Sequence, residues 1–146
     1  MTEQISDNIL VPNVSLGMFK FENNIKQYLR KAPYSYEEDP DTENGSSFDS
    51  YDFYTKGLSV WTDSKGIIKS VRCDTQCSWN NVNIINLSLK KFKEIFCIEP
   101  NDEDICYLMY GTMKSQHVYD FDAVGLQVWT WYGKIKTVIA CRLPND

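Results

Sequence analysis

The sequence predicts an α+β fold, in which two tandem helix-plus-β-meander repeats form one antiparallel sheet with helices on one face. Three observations predict it: a stretch of the chain recurs, its apolar residues alternate as in β-strands, and apolar residues at helical spacing precede each copy. The length of 146 residues suits one domain with its own core, and the aromatic content of 14% favours strands. We therefore predict a single domain over residues 1–146.

The repeat is the feature on which this prediction depends. The stretch from Tyr51, YDFYTKGLSVWTDSKGIIKSVRC, recurs from Tyr119 as YDFDAVGLQVWTWYGKIKTVIAC. The copies share tyrosine, glycine, tryptophan and isoleucine residues in the same order, with a one-residue slip in the turn before Gly66 and Gly133. Repeat 1 is predicted at about 10–73, a polar connector at 74–83 and repeat 2 at about 84–142.

Each repeat is predicted to begin with a helix. Ser88 is a candidate N-cap for the helix of repeat 2. The apolar stripe of that helix consists of Leu89, Phe92, Ile95 and Phe96. The matching stripe of repeat 1 consists of Phe21, Ile25, Tyr28 and Leu29. Further upstream, NVSLGMFK from Asn13 resembles NLSLKKFK from Asn86, but the spacing to the helix differs between the copies and leaves the relative helix register open.

The meanders follow the helices. Strands are predicted at Phe48–Tyr54, Gly57–Thr62, Ile67–Cys73, Ile105–Tyr110, His117–Phe121, Leu126–Trp131 and Ile135–Arg142. In the central strands, aliphatic residues alternate with Trp61 in repeat 1 and with Trp129 and Trp131 in repeat 2. Successive strand residues point to opposite faces, so the aliphatic face is predicted to lie under the helices and the tryptophan face to stay open.

Charge and hydropathy limit the classes of partner. A formal net charge of -5 and a pI near 4.9 argue against direct nucleic-acid binding, which needs a basic surface, and they permit a basic protein partner. No apolar stretch is long enough for a signal peptide or a membrane span, so we expect a cytoplasmic protein without a membrane partner. The five cysteines are then predicted to be free, small, buried hydrophobes: Cys73, Cys77, Cys97, Cys106 and Cys141.

The sequence does not predict an enzyme. His117 is the single histidine, and the chain contains no phosphate-binding loop, zinc-protease motif or nucleophile elbow. Cys73 and Cys77 are separated by three residues and have no second pair nearby, so no metal or cofactor is predicted. Two alternatives stay open: a Cys–His dyad that uses His117, and a catalytic carboxylate pair in the acidic segments.

Two groups of residues are predicted to bind a partner. The first is a mobile acidic loop over residues 35–47, with candidate residues Glu37, Glu38, Asp39, Asp41 and Glu43. The second is an aromatic strip of Trp61, Trp129, Trp131 and Tyr132. The alternative is that the aromatic residues form a second packing layer. Trp131 and Tyr132 are specific to repeat 2, since repeat 1 has Asp63 and Ser64 there, and they are the stronger candidates.

The chain resembles small bacterial immunity proteins that are encoded beside polymorphic or contact-dependent growth-inhibition toxins. The resemblance is carried by NLSLKKFKEIF from Asn86, Glu99-Pro100, Tyr119, GLQVW from Gly125 and GKI from Gly133. It implies a non-catalytic protein that binds and neutralises a cognate toxin, a basic nuclease. The alternatives are a regulatory or chaperone-like adaptor and, third, a small enzyme.

The predicted plan is also similar to that of the β-lactamase-inhibitory proteins, whose concave sheet face binds the target. That similarity implies that Trp61, Trp129 and Trp131 lie on the analogous face. The chain departs from that secreted family because it has no evident signal peptide and no evident disulfide framework.

Overall fold

The fold is given by a computed structural model, which describes residues 8–41, 46–107 and 115–143. Within these residues the chain is mainly β, with thirteen strands, one α-helix and two 3-10 turns. The predicted α+β class with two helix-plus-meander repeats is therefore wrong, because the segment before the first meander does not form an α-helix.

The strands are, in chain order, β1 (Leu10–Val11), β2 (Ser15–Leu16), β3 (Phe19–Lys20), β4 (Ser35–Asp41), β5 (Ser46–Phe53), β6 (Leu58–Thr62), β7 (Ile68–Cys73), β8 (Ser78–Trp79), β9 (Val82–Asn83), β10 (Asp102–Tyr107), β11 (Ser115–Phe121), β12 (Leu126–Trp131) and β13 (Lys134–Cys141). The α-helix, α1 (Leu89–Phe96), lies between β9 and β10. The 3-10 turns span Ile25–Gln27 and Asp122–Val124.

Eight of these strands form one antiparallel sheet in the order β10-β11-β12-β13-β7-β6-β5-β4. The last strands of the two meanders, β7 and β13, pair at its centre, with Val71 opposite Ala140. The strand order reads the same from both edges, so the meanders β4–β7 and β10–β13 are related by an approximate two-fold axis between β7 and β13. A three-stranded sheet, β1–β3, and the hairpin β8–β9 complete the strands of the described part of the chain.

Both meanders contain the same irregularity. The register shifts between Trp61 and Thr62 in β6 and between Trp129 and Thr130 in β12, which leaves Lys69 and Lys136 as the extra residues of the neighbouring strands. A bulge of this kind re-aims the side chain of the extra residue. Both lysines accordingly reach the chain segment that precedes their own meander.

These lysine contacts identify the equivalent residues upstream. Lys69 Nζ lies 3.3 Å from the Glu22 carboxylate, and Lys136 Nζ donates to Asn86 Oδ1 at 2.7 Å. Glu22 and Asn86 also share the same left-handed backbone conformation, with φ of 73° at both. Glu22 is therefore the counterpart of Asn86, which settles the register between the copies that the sequence left open, and the resemblance of Asn13 to Asn86 does not follow it.

The two copies diverge after these residues. In repeat 2, Ser88 Oγ accepts a hydrogen bond from the Lys91 N–H at 3.1 Å, and α1 follows. In repeat 1, Asn24 caps in the same way, but only the 3-10 turn Ile25–Gln27 forms. Short helices depend on tertiary packing, and within residues 25–32 only Ile25 and Tyr28 are buried. Their spacing of three residues suits a 3-10 turn, so nothing favours a longer helix.

Every element outside the eight-stranded sheet covers the same face of it. Phe19 in β3 packs on Phe53 with ring centroids 4.8 Å apart, and Phe92 in α1 packs edge-on against Phe121 at 5.4 Å. Alternate residues of the central strands, such as Val60 and Val128, are fully buried beneath these elements. The opposite face of the sheet is not covered by these elements, and side chains on it such as Trp61 and Gln127 are partly exposed.

The acidic segment is not a loop over most of its length. Ser35–Asp41 forms the edge strand β4 and pairs with β5, with Glu37 opposite Ser50, so the loop predicted over 35–47 is wrong there. Glutamate, aspartate and proline have poor strand propensity, but on an edge strand they discourage pairing with another chain. The backbone of Asp39 and Asp41 lies in β4, whereas their side chains and all of Glu43 lie outside the described residues.

The cysteines divide into two groups. Cys73 and Cys77 are buried, but Cys97 and Cys141 are exposed, so the prediction of burial is wrong for the latter two. The Cys106 side chain lies outside the described residues. Across the described residues, no helix has the length and apolar character needed to cross a membrane.

We expect Ser88→Ala to lower the free energy of unfolding by about 0.5–2 kcal/mol, because it removes the N-cap acceptor of α1. Urea denaturation followed by circular dichroism measures this change. Ser64→Ala, at an exposed position between β6 and β7, is the matched control and should change stability by less than about 0.5 kcal/mol. Equal effects of the two substitutions would contradict the capping role.

Candidate functional site

The uncovered face of the eight-stranded sheet, here called the open face, is the candidate site. Its side chains alternate with the buried residues of the same strands. It carries Glu37 on β4, Ser50 and Asp52 on β5, Ser59 and Trp61 on β6, Arg72 on β7, Ile139 on β13, Gln127 and Trp129 on β12, and Val118 and Asp120 on β11. The surface therefore combines aromatic, acidic and small polar side chains.

One row of side chains crosses the middle of this face. Cross-strand pairing places Asp120, Gln127, Ile139, Arg72, Ser59 and Asp52 side by side on six successive strands. Both ends of the row are carboxylates. Trp61 and Trp129 flank the row on opposite sides because the two-fold axis passes between β7 and β13, and both indoles are half-buried.

In repeat 2 the polar groups beside the tryptophan satisfy one another. Trp129 Nε1 donates to Gln127 Oε1 at 2.8 Å, and Gln127 Nε2 donates to Asp120 Oδ1 at 3.0 Å. Val118, directly opposite Trp129 in the register, is only 8% exposed and fills the neighbouring space. Side chains of the sheet itself therefore fill the space between Trp129 and Val118.

In repeat 1 the equivalent positions carry smaller side chains. Ser59 takes the place of Gln127, and Ser50, opposite Trp61, takes the place of Val118. Ser59 Oγ donates to Asp52 Oδ1 at 3.3 Å and does not extend to the indole side. The result is a cleft of about 460 Å³ beside Trp61, here called the Trp61 cleft, whose lining includes Glu37, Ser50, Asp52, Ser59, Trp61 and Arg72.

The Trp61 cleft is negatively charged. Glu37 and Asp52 place two carboxylates on the open face at this cleft, against one guanidinium from Arg72. That guanidinium already lies 3.2 Å from the Asp74 carboxylate, outside the lining. The cleft therefore favours a cation, since opposite charge at short range stabilises it most where water is partly excluded.

A second cleft, of about 490 Å³, lies where β12 begins and β13 ends, and it shares Asp120, Gln127 and Ile139 with the open face. Leu126, Ile139 and Leu143 make it largely apolar, and the exposed Cys141 lies at its rim. Burial, together with the nearby Asp122 and Asp120 carboxylates, raises the pKa of the Cys141 thiol. Cys141 is thus held in its thiol form, the less nucleophilic one.

The sequence-predicted residues fall into separate groups. Trp61 and Glu37 meet at the Trp61 cleft, while Trp129 lies in the other half of the open face. Glu38 borders the same cleft along β4, but it pairs with Asp49 and its side chain points to the other face of the sheet. Trp131 and Tyr132 lie at the β12–β13 turn, where their rings stack with centroids 5.6 Å apart, and Tyr132 is 74% exposed. The structure therefore does not unite the acidic and aromatic candidates into one patch.

Sequence reasoning missed the residues that shape the open face between the tryptophans, namely Ser50, Asp52, Ser59, Arg72, Asp120 and Gln127. A signal was present in the aligned copies, because Ser59 and Gln127 occupy the same position of the repeat and differ in size and in hydrogen-bonding reach. Ser50 and Val118 differ in the same way.

Cys73 and Cys77 are not accessible to a substrate. A hydrogen bond with Cys77 lowers the pKa of Cys73 to about 6, whereas that hydrogen bond and burial raise the pKa of Cys77. The Cys73 sulfur, however, lies 2.7 Å from the Gln76 carbonyl oxygen, which would repel a thiolate and suits a protonated thiol. Both residues have no exposed surface, so we interpret the pair as packing.

The remaining reactive groups are dispersed. His117 Nδ1 lies 3.2 Å from Glu103 Oε2, and both side chains are partly exposed to solvent. Within the described ranges, no group of three or more His, Cys, Asp or Glu side chains is arranged to hold a metal ion. Comparison with protein-family models, with curated proteins and with solved structures finds no match.

Proposed function

We propose that this protein is an immunity protein, which neutralises a cognate toxin, a basic nuclease, by stoichiometric binding. The observation that carries the proposal is the open face, a hydrogen-bonded sheet surface that presents two tryptophans between carboxylates. Such binding requires no catalysis. As part of the same proposal, the chain acts in the cytoplasm, where a toxin delivered into the cell meets its target.

The size of the open face fits a protein partner. Eight strands about 4.8 Å apart, with about five residues each, give a projected area of about 34 Å by 17 Å, or about 570 Å². A standard interface buries about 800 Å² per partner. The whole face is then needed, together with neighbouring groups such as the exposed Tyr132 at the β12–β13 turn.

The chemistry of the face supports a basic partner. Tryptophans that are half-buried lose little side-chain entropy on binding and are common anchors of interfaces. The carboxylates on the face and the net charge of -5 would accelerate association with a positively charged surface. This attraction weakens with added salt, because exposed charges are screened beyond about 8–10 Å at physiological ionic strength.

The test is binding to a purified toxin domain encoded beside this chain, measured by calorimetry at low and high salt, together with protection of cells that express the toxin. We expect tight one-to-one binding that weakens with salt. Trp129→Ala should weaken it by about 30-fold or more, as expected for an aromatic anchor at about 2 kcal/mol. Tyr54→Ala, which removes a 59% exposed ring in the turn between β5 and β6, is the matched control and should have little effect.

Two results would refute the proposal. Failure to bind or to protect against any adjacent toxin would reject the immunity function. Equal affinities for the Trp129→Ala and Tyr54→Ala variants, with native circular dichroism for both, would show that the partner binds elsewhere.

A further inference from the structure

We propose that the Trp61 cleft receives an arginine side chain of the partner, with the guanidinium over the Trp61 indole and against the Glu37 and Asp52 carboxylates. This inference rests on the proposed function and specifies how the open face would recognise a basic protein. It is carried by the geometry of the cleft and by the contrast between the two copies of the repeat.

The contrast between the copies shows that the cleft is not a consequence of the fold. In repeat 2, Gln127 links Trp129 to Asp120 and Val118 fills the space opposite the indole, so the second cleft borders Gln127 and Asp120 but does not reach Trp129. In repeat 1, two serines leave about 460 Å³ open at the equivalent place. The cleft is open to solvent and exceeds the space that one water molecule needs, so a side chain can enter by displacing solvent.

The charges in the cleft are available to an incoming cation. In the described part of the chain, neither Glu37 nor Asp52 forms an ion pair, and both are exposed. Asp52 is oriented by the Ser59 hydroxyl, which donates to it at 3.3 Å. Arg72, the one cation among the lining residues, is paired with Asp74. A cation that enters is therefore matched by carboxylates, which offsets part of its desolvation cost.

The combination of an indole and carboxylates favours arginine over lysine. A guanidinium is planar, stacks on an aromatic ring and presents several donors at once to carboxylate oxygens. An ammonium is more strongly hydrated and loses more when it leaves water. Tryptophan is also the best aromatic partner for a cation.

The experiment uses the full chain and needs no toxin. Acetyl-arginine-methylamide is titrated into labelled protein, and the indole N–H signals of Trp61 and Trp129 are followed by NMR. The Trp79 signal is the internal reference, since its ring stacks on Phe96 at 4.0 Å in the core. The corresponding lysine and citrulline compounds are the matched probes, because citrulline has a similar shape to arginine without the charge.

The variant Ser50→Val/Ser59→Gln gives the cleft the side chains of repeat 2 and should close it. The reciprocal variant Val118→Ser/Gln127→Ser opens the equivalent place beside Trp129. We expect the arginine compound to shift the Trp61 signal with millimolar affinity, the lysine compound to bind more weakly and citrulline to have no effect. The closing variant should weaken arginine binding by about tenfold, which equals about 1.4 kcal/mol. The opening variant should create a response at Trp129.

Equal responses to arginine and citrulline, stronger binding of lysine, or unchanged binding to the closed variant would overturn the inference. The arginine cleft and the proposed immunity function can be rejected independently of each other. If the wild-type chain binds its toxin and the Ser50→Val/Ser59→Gln variant binds it equally well, the arginine cleft is wrong and the immunity function stands. If no toxin binds, the function is rejected, and the titration still decides whether the cleft selects a guanidinium.

Discussion

Phe92→Ala should lower the free energy of unfolding by about 3–5 kcal/mol. Phe92 is fully buried and connects α1 to the sheet, with its ring 5.4 Å from that of Phe121 and 5.2 Å from that of Phe96. Removing the ring leaves a cavity beneath α1, which α1 alone cannot fill. The 3-10 turn of repeat 1 packs on its own part of the core and does not fill it either. Domains of this size have a total stability of about 5–15 kcal/mol, so the variant should lose a large share of it.

The control for this prediction lies one turn further along the same helix. Ile95 is 41% exposed, so Ile95→Ala removes a comparable apolar group with little loss of burial and should cost less than about 1 kcal/mol. Urea midpoints for both variants at constant m-value give the comparison. Similar losses for the two substitutions would show that α1 does not anchor the core through Phe92.

Gly125→Ala should destabilise the protein by about 2–5 kcal/mol. Gly125 follows the second 3-10 turn with φ of +68°, a region that costs an alanine about 1–2 kcal/mol. The added Cβ would also collide with the backbone oxygen of Cys141, and overpacking typically costs a further 1–3 kcal/mol. The collision is with main chain, and the Gly125 carbonyl accepts the Cys141 N–H at 2.9 Å, so relief would disturb the pairing of β12 with β13.

Gly133→Ala separates the cost of a positive φ from the cost of the collision with Cys141. Gly133 also has a positive φ, +78°, but no atom lies within 4 Å of a Cβ added there. Only the cost of the positive φ remains, so the free energy of unfolding should fall by about 1–2 kcal/mol. Thermal unfolding of the two variants measures the difference. If Gly133→Ala were as destabilising as Gly125→Ala, the close approach of Cys141 would not be the reason for the glycine.

The strand pattern was predictable because it is local. Around Val60 and Val128, apolar residues occupy every second position, which identifies them as buried. Because side chains alternate with a period of two, all of these residues must lie on one face of the strand. The shared glycines mark turns that need positive φ, such as Gly66 and Gly133. These signals depend on residues that lie within a few positions of one another.

The predictions of a first helix and of an acidic loop were wrong because the structure of both segments depends on contacts with residues that are distant in the chain. A stripe of apolar residues before β4 has helical spacing, but after Asn24 only Ile25 and Tyr28 are buried in the core, where Tyr28 packs against Phe19. Residues 35–41 have the composition of a loop, but β5 offers an unpaired edge to which their backbone bonds. In both cases tertiary contacts overrode local propensity.

The same division applies to the candidate site. The sequence by itself determined a duplicated meander, its alternating faces, and an acidic chain with Trp61 and Trp129 at equivalent positions. Only the tertiary structure decided that Glu37 and Asp52 lie beside Trp61, that Gln127 closes the matching place in repeat 2, and that Trp131 and Tyr132 stand apart at a turn. The physical reason is strand register: hydrogen bonding between strands brings side chains together that are distant in sequence, and a residue's own neighbours in the chain do not encode that pairing.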